Sequence, residues 1–134
     1  MKPASLIRFR IDFADNANVG PGKIALLEGI RAYGSLSEAA RRLGISYRRA
    51  WLLLDSLNST FDVPTTVNSV GGRGGGGAEL TPFGLLLATR YREVETRLNE
   101  VARECLDEIK KHVNRNSVSS ARRVPVSKKR RTDV

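Results

Sequence analysis

Between residues 35 and 59 two short amphipathic segments follow one another across a break centred on Gly44, and no other feature narrows the possible folds as far. Ser35 or Ser37 can cap the first segment by accepting a backbone N–H, and Ser35 with Glu38 has the spacing of a capping box. The segment runs through Ala39, Ala40 and Leu43 to Gly44, which can take the positive φ of an abrupt helix end. Ser46 has the chemistry to cap a second segment, expected from about Tyr47 to Ser59. Two helices three or four residues apart are the local pattern of a helix-turn-helix. Ala39 and Ala40 agree with it, because crossed helices approach closely only where side chains are small.

On a wheel of about 100° per residue, Ala50, Leu53, Leu54 and Leu57 of the second segment share one sector. Arg48, Leu52, Asp55 and Ser59 lie nearly opposite, and Tyr47 and Trp51 flank the apolar side. The exposed sector therefore begins with Arg48 and Arg49. Side chains at the start of such a helix can reach base edges while positive charge meets phosphate. For Trp51 and Tyr47 two readings stay open, packing at the edge of the helix-turn-helix core or direct contact with DNA. Arg48 and Arg49 have a plainer alternative as a solubilising pair.

The flanking segments complete the pattern. Residues 6–13 alternate, with Ile7, Phe9, Ile11 and Phe13 on one side, which predicts a half-buried strand. Ile24, Leu27 and Ile30 recur at helical spacing and predict a first helix from Lys23 to Tyr33, stopped by Gly34. After Pro64, two β-prone stretches, 65–70 and 78–81, are joined by the glycine-rich run 71–77, which reads as a wing with Arg73 as the charged side chain at its tip. A phosphate-binding loop would need lysine followed by serine or threonine at its end, and Ala78-Glu79 supplies neither. A linker without fixed structure is the bland alternative for the run, and an unengaged surface arginine the bland alternative for Arg73.

Thr81 and Pro82 start a long helix expected to reach about Lys111, roughly 45 Å at 1.5 Å per residue. Phe83, Leu87, Tyr91, Val94, Leu98, Val101, Cys105 and Ile109 form a stripe with gaps of three and four along it. A chain of 134 residues with a polar end has room for one modest core, too small to cover that stripe. A second copy of the helix is therefore expected against it, parallel or antiparallel.

The formal net charge of +9 is unevenly placed, since nine of the 23 basic residues but one of the 14 acidic residues fall in 110–134. A nearly neutral body thus carries a basic tail, which attracts any polyanion without sequence preference. The expected organisation is a folded body over 1–111, with the long helix at about 82–111, followed by a disordered basic tail over 112–134. One cysteine, Cys105, and one histidine, His112, leave no disulfide framework and no cluster of soft metal ligands. Cys105 lies on the stripe and is expected to pack rather than react. No stretch approaches 18 consecutive apolar residues, and charged Arg8 and Arg10 come early, so neither a membrane span nor an export signal is expected. Acid–base or nucleophilic catalysis needs groups paired in a recess, and nothing in the sequence supplies them. The chain is expected to be no enzyme and to need no metal or cofactor.

Taken together, residues 34–40 (Gly-Ser-Leu-Ser-Glu-Ala-Ala), 44–51 (Gly-Ile-Ser-Tyr-Arg-Arg-Ala-Trp) and 71–81, from the glycine run to Glu79-Leu80-Thr81, resemble the N-terminal DNA-binding domain of the molybdate-responsive ModE regulators, a winged relative of the LysR-type helix-turn-helix. The resemblance covers roughly residues 5–110. It implies a mainly α fold with a small β wing and a long C-terminal dimerisation helix. It also implies a cytoplasmic homodimeric transcription regulator on double-stranded DNA, with the helix over about 46–59 in the major groove and the wing at the backbone or minor groove. The matching positions are Ser46, Tyr47, Arg48, Trp51 and Arg73, and with Ser37 and Arg49 they form the expected DNA-contacting set. A protein-interaction or architectural DNA-binding module is the competing expectation. Full-length members of the family carry C-terminal molybdate-binding domains, whereas this chain has a short basic tail after the long helix. It is therefore expected not to respond to molybdate by itself: it acts constitutively, or a separate sensor protein controls it, or it is a partial member of the family.

Overall fold

The structure, a computed structural model, describes residues 7–69 and 76–114. In chain order the elements are β1 (Ile11–Ala14), β2 (Ala17–Val19), α1 (Pro21–Tyr33), α2 (Leu36–Leu43), α3 (Tyr47–Thr60), β3 (Thr66–Ser69), β4 (Gly77–Leu80) and α4 (Pro82–Lys110). Helices dominate, accompanied by two antiparallel hairpins, β1–β2 and β3–β4. This is a winged helix-turn-helix with a long last helix. Among the described residues no helix is long and apolar enough to cross a membrane. The chain divides into two units, one through Asn99 and one from Glu100.

In the first unit, α1 begins at Pro21, two residues before the expected start, because proline has no N–H to lose at a helix's first position and its φ is already helical. α1 ends at Gly34 (φ 81°), whose N–H returns to the Ile30 carbonyl at 2.8 Å. α2 ends in the same manner at Gly44 (φ 72°). Between them α1 and α2 cross closely: a Cβ on Gly29 would stand 3.0 Å from the Ala39 Cβ. Leu26, Ile30, Ala39, Ala40, Ala50 and Ala78 form one buried cluster. Val19, Ile24, Leu27, Leu57 and Tyr91 form another. Leu54 and Leu80 pack against both. Arg92 of α4 holds Glu28 of α1 through two hydrogen bonds, 2.8 and 2.7 Å, and Glu95 through a third at 2.9 Å. Glu28 first, then Glu95, raise the guanidinium's already high pKa further.

The amino-terminal segment departs from the sequence expectation. The strand is confined to Ile11–Ala14 and forms a hairpin with β2, turning at Asn16 with a left-handed φ of 61°. Ahead of it the backbone finds partners on α4 instead of a ladder. Asn99 accepts from the Ile7 N–H at 3.1 Å, and the Tyr91 hydroxyl donates to the Phe9 carbonyl at 2.6 Å. The Phe9 ring stacks on Tyr91 with centroids 4.4 Å apart. An irregularity in register between Asp12 and Ala14 ends the alternation, and Phe13 is exposed, its ring in a T-shaped contact with Phe61 at 5.5 Å. Leu6 lies outside the described residues.

The long stripe divides as well. Tyr91 is buried in the chain's own core with Leu87 packed beside it, and Phe83 sits edge-on to Phe61 at 5.1 Å. Of these three residues, expected in a seam between two copies, Tyr91 is buried within the chain and Leu87 and Phe83 are partly buried. Val94 and Leu98 are exposed. In the second unit Ala102 is buried, while Val101, Cys105 and Ile109 are exposed and Lys111 pairs with Glu108 at 3.7 Å.

A polar junction joins α3, the second hairpin and α4. Thr65 is fully buried, and Asn58 Oδ1 accepts both its N–H (2.8 Å) and its hydroxyl (2.6 Å). The Thr65 carbonyl accepts the Thr81 N–H at 2.9 Å, and the Thr81 hydroxyl donates to the Pro64 carbonyl and caps α4 by accepting from the Gly84 N–H. Gly84 lies so close that a Cβ there would collide with the Thr65 carbonyl. Gly22 in α1, by contrast, has nothing near its missing Cβ. Gly84→Ala should therefore lower stability by about 1–3 kcal/mol through overpacking. Gly22→Ala should raise it by up to about 1 kcal/mol, through reduced freedom of the unfolded chain. Urea midpoints of the two variants moving in the same direction would contradict this packing.

Candidate nucleic-acid interface

Ser46 holds an extended conformation before α3 and accepts the Arg49 N–H at 3.0 Å, so the helix begins with Tyr47 as its first residue. Ala50 and Leu57 are buried, Leu53 and Leu54 partly so, and Arg48, Leu52, Asp55 and Ser59 are exposed, as the wheel expects. Ser35, rather than Ser37, caps α2 by accepting the Glu38 N–H at 3.1 Å. Ser37 stands exposed in the first turn. The reciprocal half of the capping box does not form, because the Glu38 carboxylate is taken by Arg41 (2.6 Å) and Arg42 (3.0 Å).

That pairing matters for the charge pattern. The Arg41 and Arg42 hydrogen bonds hold the Glu38 carboxyl down at about 2. Arg90 and Arg97 likewise share Glu93, and Arg92 holds Glu28 and Glu95. Among the described residues Arg48 and Arg49 have no such carboxylate. The structure therefore leaves uncompensated positive charge at the amino-terminal end of α3, where backbone N–H groups also point outward.

Tyr47 and Trp51 are about half exposed. They line a recess of about 400 Å³ between the starts of α2 and α3 and the second hairpin, shared with Ser37, Thr66, Asn68 and Gly76. The hairpin's register pairs Thr66 with Leu80 and ends with Ser69 opposite Gly77. The Ala78 N–H donates to the Gly34 carbonyl at 2.9 Å, which fastens β4 to the end of α1. Arg73 falls outside the described residues; of the expected set Ser37, Tyr47 and Trp51 line this recess, while Ser46, Arg48 and Arg49 are exposed at the start of α3.

Two positioning residues were not anticipated. Asn58 fixes the hairpin relative to α3 through Thr65, and Lys23 ties α1 to β2 and α3 by donating to the Asn18 carbonyl (2.9 Å) and the Ser56 hydroxyl (3.0 Å). Burial lowers the Lys23 pKa. Neither residue carries a sequence signal, since asparagine near a helix end and lysine in a first helix are ordinary. Among the described residues no group of three His, Cys, Asp or Glu is placed to hold a metal ion.

Comparison with known proteins finds relatives that the chain matches over part of its length. The chain is 40% identical over 79 residues to the molybdenum-pterin-binding protein MopB of Rhodobacter capsulatus, covering 59% of this chain and 29% of that protein. It is 35% identical over 107 residues to the molybdenum transport protein ModE of Azotobacter vinelandii, covering 72% and 40%. It is 39% identical over 71 residues to the DNA-binding transcriptional dual regulator ModE of Escherichia coli (strain K12), covering 53% and 27%. The chain thus spans less than half the length of these relatives. No family model matches it.

The Glu38 cluster has a measurable consequence. A carboxyl held below its unfolded pKa contributes stability that is complete above the ordinary carboxylate range and is lost as pH falls through about 2. The Glu38 side-chain carbon resonance should accordingly titrate near 2 and return toward the ordinary range in Arg41→Ala. A midpoint near 4 in the unaltered protein would refute the pairing.

Proposed function

We propose that this chain, similar over its winged-helix region to the ModE regulators, is a sequence-specific DNA-binding transcription regulator of the winged, LysR-related kind that works as a homodimer. The observation that carries the reading is that Arg48 and Arg49, at the exposed start of the capped α3, pair with no carboxylate among the described residues. Docked in the major groove, α3 would present Arg48 to a base edge, where guanine offers two acceptors to the guanidinium fork, while Arg49 and the Ser37 and Ser46 hydroxyls approach the backbone. The second hairpin would lie beside it, with Arg73 at the backbone or minor groove. The exposed Val94 and Leu98, continued along α4 by Val101, Cys105 and Ile109, would face a second copy. Two copies related by a two-fold axis would read an inverted repeat with half-site centres about 34 Å, or a small multiple, apart.

Selection of bound sequences from a random duplex pool tests the reading. An enriched inverted repeat is expected, and Arg48→Ala should cost about 1–3 kcal/mol on it and much less on scrambled duplex. Equal losses on both would reverse the role given to Arg48. Enrichment of no motif by a folded protein would favour an interaction or architectural module instead.

Leu98→Asp places an unpaired charge in the proposed seam and should shift the light-scattering mass from dimer to monomer, at a cost of several kcal/mol. A dimer that survives the substitution, or a parent protein that is monomeric, would refute the assignment of that face.

A further inference from the structure

The exposed side of α3 carries more apolar surface than phosphate binding requires. Tyr47, Trp51 and Leu52 occupy its first two turns and expose 55%, 48% and 45% of their surface. Tyr47 and Trp51 are four residues apart and share one side, while Leu52 lies one turn beyond Arg48 on the next row. Among the described residues neither ring stacks on another aromatic or on a guanidinium. These rings thus leave about half of their surface to solvent in the recess, next to Arg48, which pairs with no carboxylate among the described residues.

The major-groove edge of a base pair offers donors, acceptors and a single apolar group, the C5-methyl of thymine. A protein partner that covered the rings and Leu52 would also desolvate Arg48 and would have to bring its own carboxylate. Duplex DNA supplies acceptors to the arginines and a methyl to the apolar side chains in one surface. We propose that Tyr47, Trp51 and Leu52 form a reader for thymine methyl groups next to the hydrogen-bonding position of Arg48. The inference rests on the docking of α3 proposed above and names the base that its apolar surface selects.

The test uses the full chain and the enriched duplex, with each thymine replaced in turn by uracil, which removes the methyl and leaves pairing and charge intact. At one or two positions per half-site, adjacent to the base read by Arg48, affinity should fall roughly fourfold per methyl, and replacement elsewhere should have no effect. Trp51→Ala and Leu52→Ala, with folding verified by circular dichroism, should bind the thymine and uracil duplexes equally. If every uracil duplex binds as tightly as its parent, or the enriched motif lacks thymine, methyl reading is overturned while the docking of α3 stands. A motif that is never enriched overturns both. Variants that keep the full thymine preference overturn the assignment to these side chains.

Discussion

The arrangement depends on one buried polar residue. Thr65 lies between the end of α3 and the start of α4, and its backbone and hydroxyl groups are bound by Asn58 and Thr81. A buried threonine without those partners would cost the desolvation of several polar atoms, so the three elements are held in one relation or the site opens to water. Asn58 belongs to the same helix as Arg48, and Thr66 begins the second hairpin. The angle between helix and wing is therefore set by an amide and a hydroxyl at the far end of the helix from the arginines. Gly84 completes the junction by letting α4 start against the Thr65 carbonyl.

Within this frame, charge is distributed by pairing. Among the described residues the arginines of α2 and α4 are largely committed to carboxylates on their own or a neighbouring helix, whereas those at the start of α3 pair with none. An exposed ion pair adds little stability. Its larger effect here is to remove positive potential from the surfaces around α3. The same surface exposes Tyr47, Trp51 and Leu52, so cationic and apolar groups are offered together, a combination that suits a groove presenting acceptors and methyl groups side by side.

Much of this was legible in the sequence because it is governed by neighbours a few residues apart. The Ser35 and Ser46 caps, the left-handed Gly34 and Gly44, Pro82 at the start of α4 and the buried sector of α3 each follow from a local pattern, and each appears where the pattern places it. The two pairs of arginines, Arg41-Arg42 and Arg48-Arg49, look alike in the sequence. Only Glu38, three and four residues before the first pair, distinguishes them, and its spacing reads equally well as half of a capping box.

What the sequence determined by itself is the order of the helices, their caps and the buried sector of α3, because caps, turns and periodicity act through bonds spanning one helical turn. Only the tertiary structure decided which apolar residues are consumed inside the chain and which remain outside. Tyr91 binds the Phe9 carbonyl across 82 residues and Asn99 binds the Ile7 N–H across 92. Those contacts draw the segment before β1 onto α4 in place of a longer strand, and with the core they occupy the first part of the stripe. No local pattern encodes such a choice, because the free energy of burying Tyr91 depends on Phe9, Val19, Ile24 and Leu57 meeting at one place only after the chain has folded.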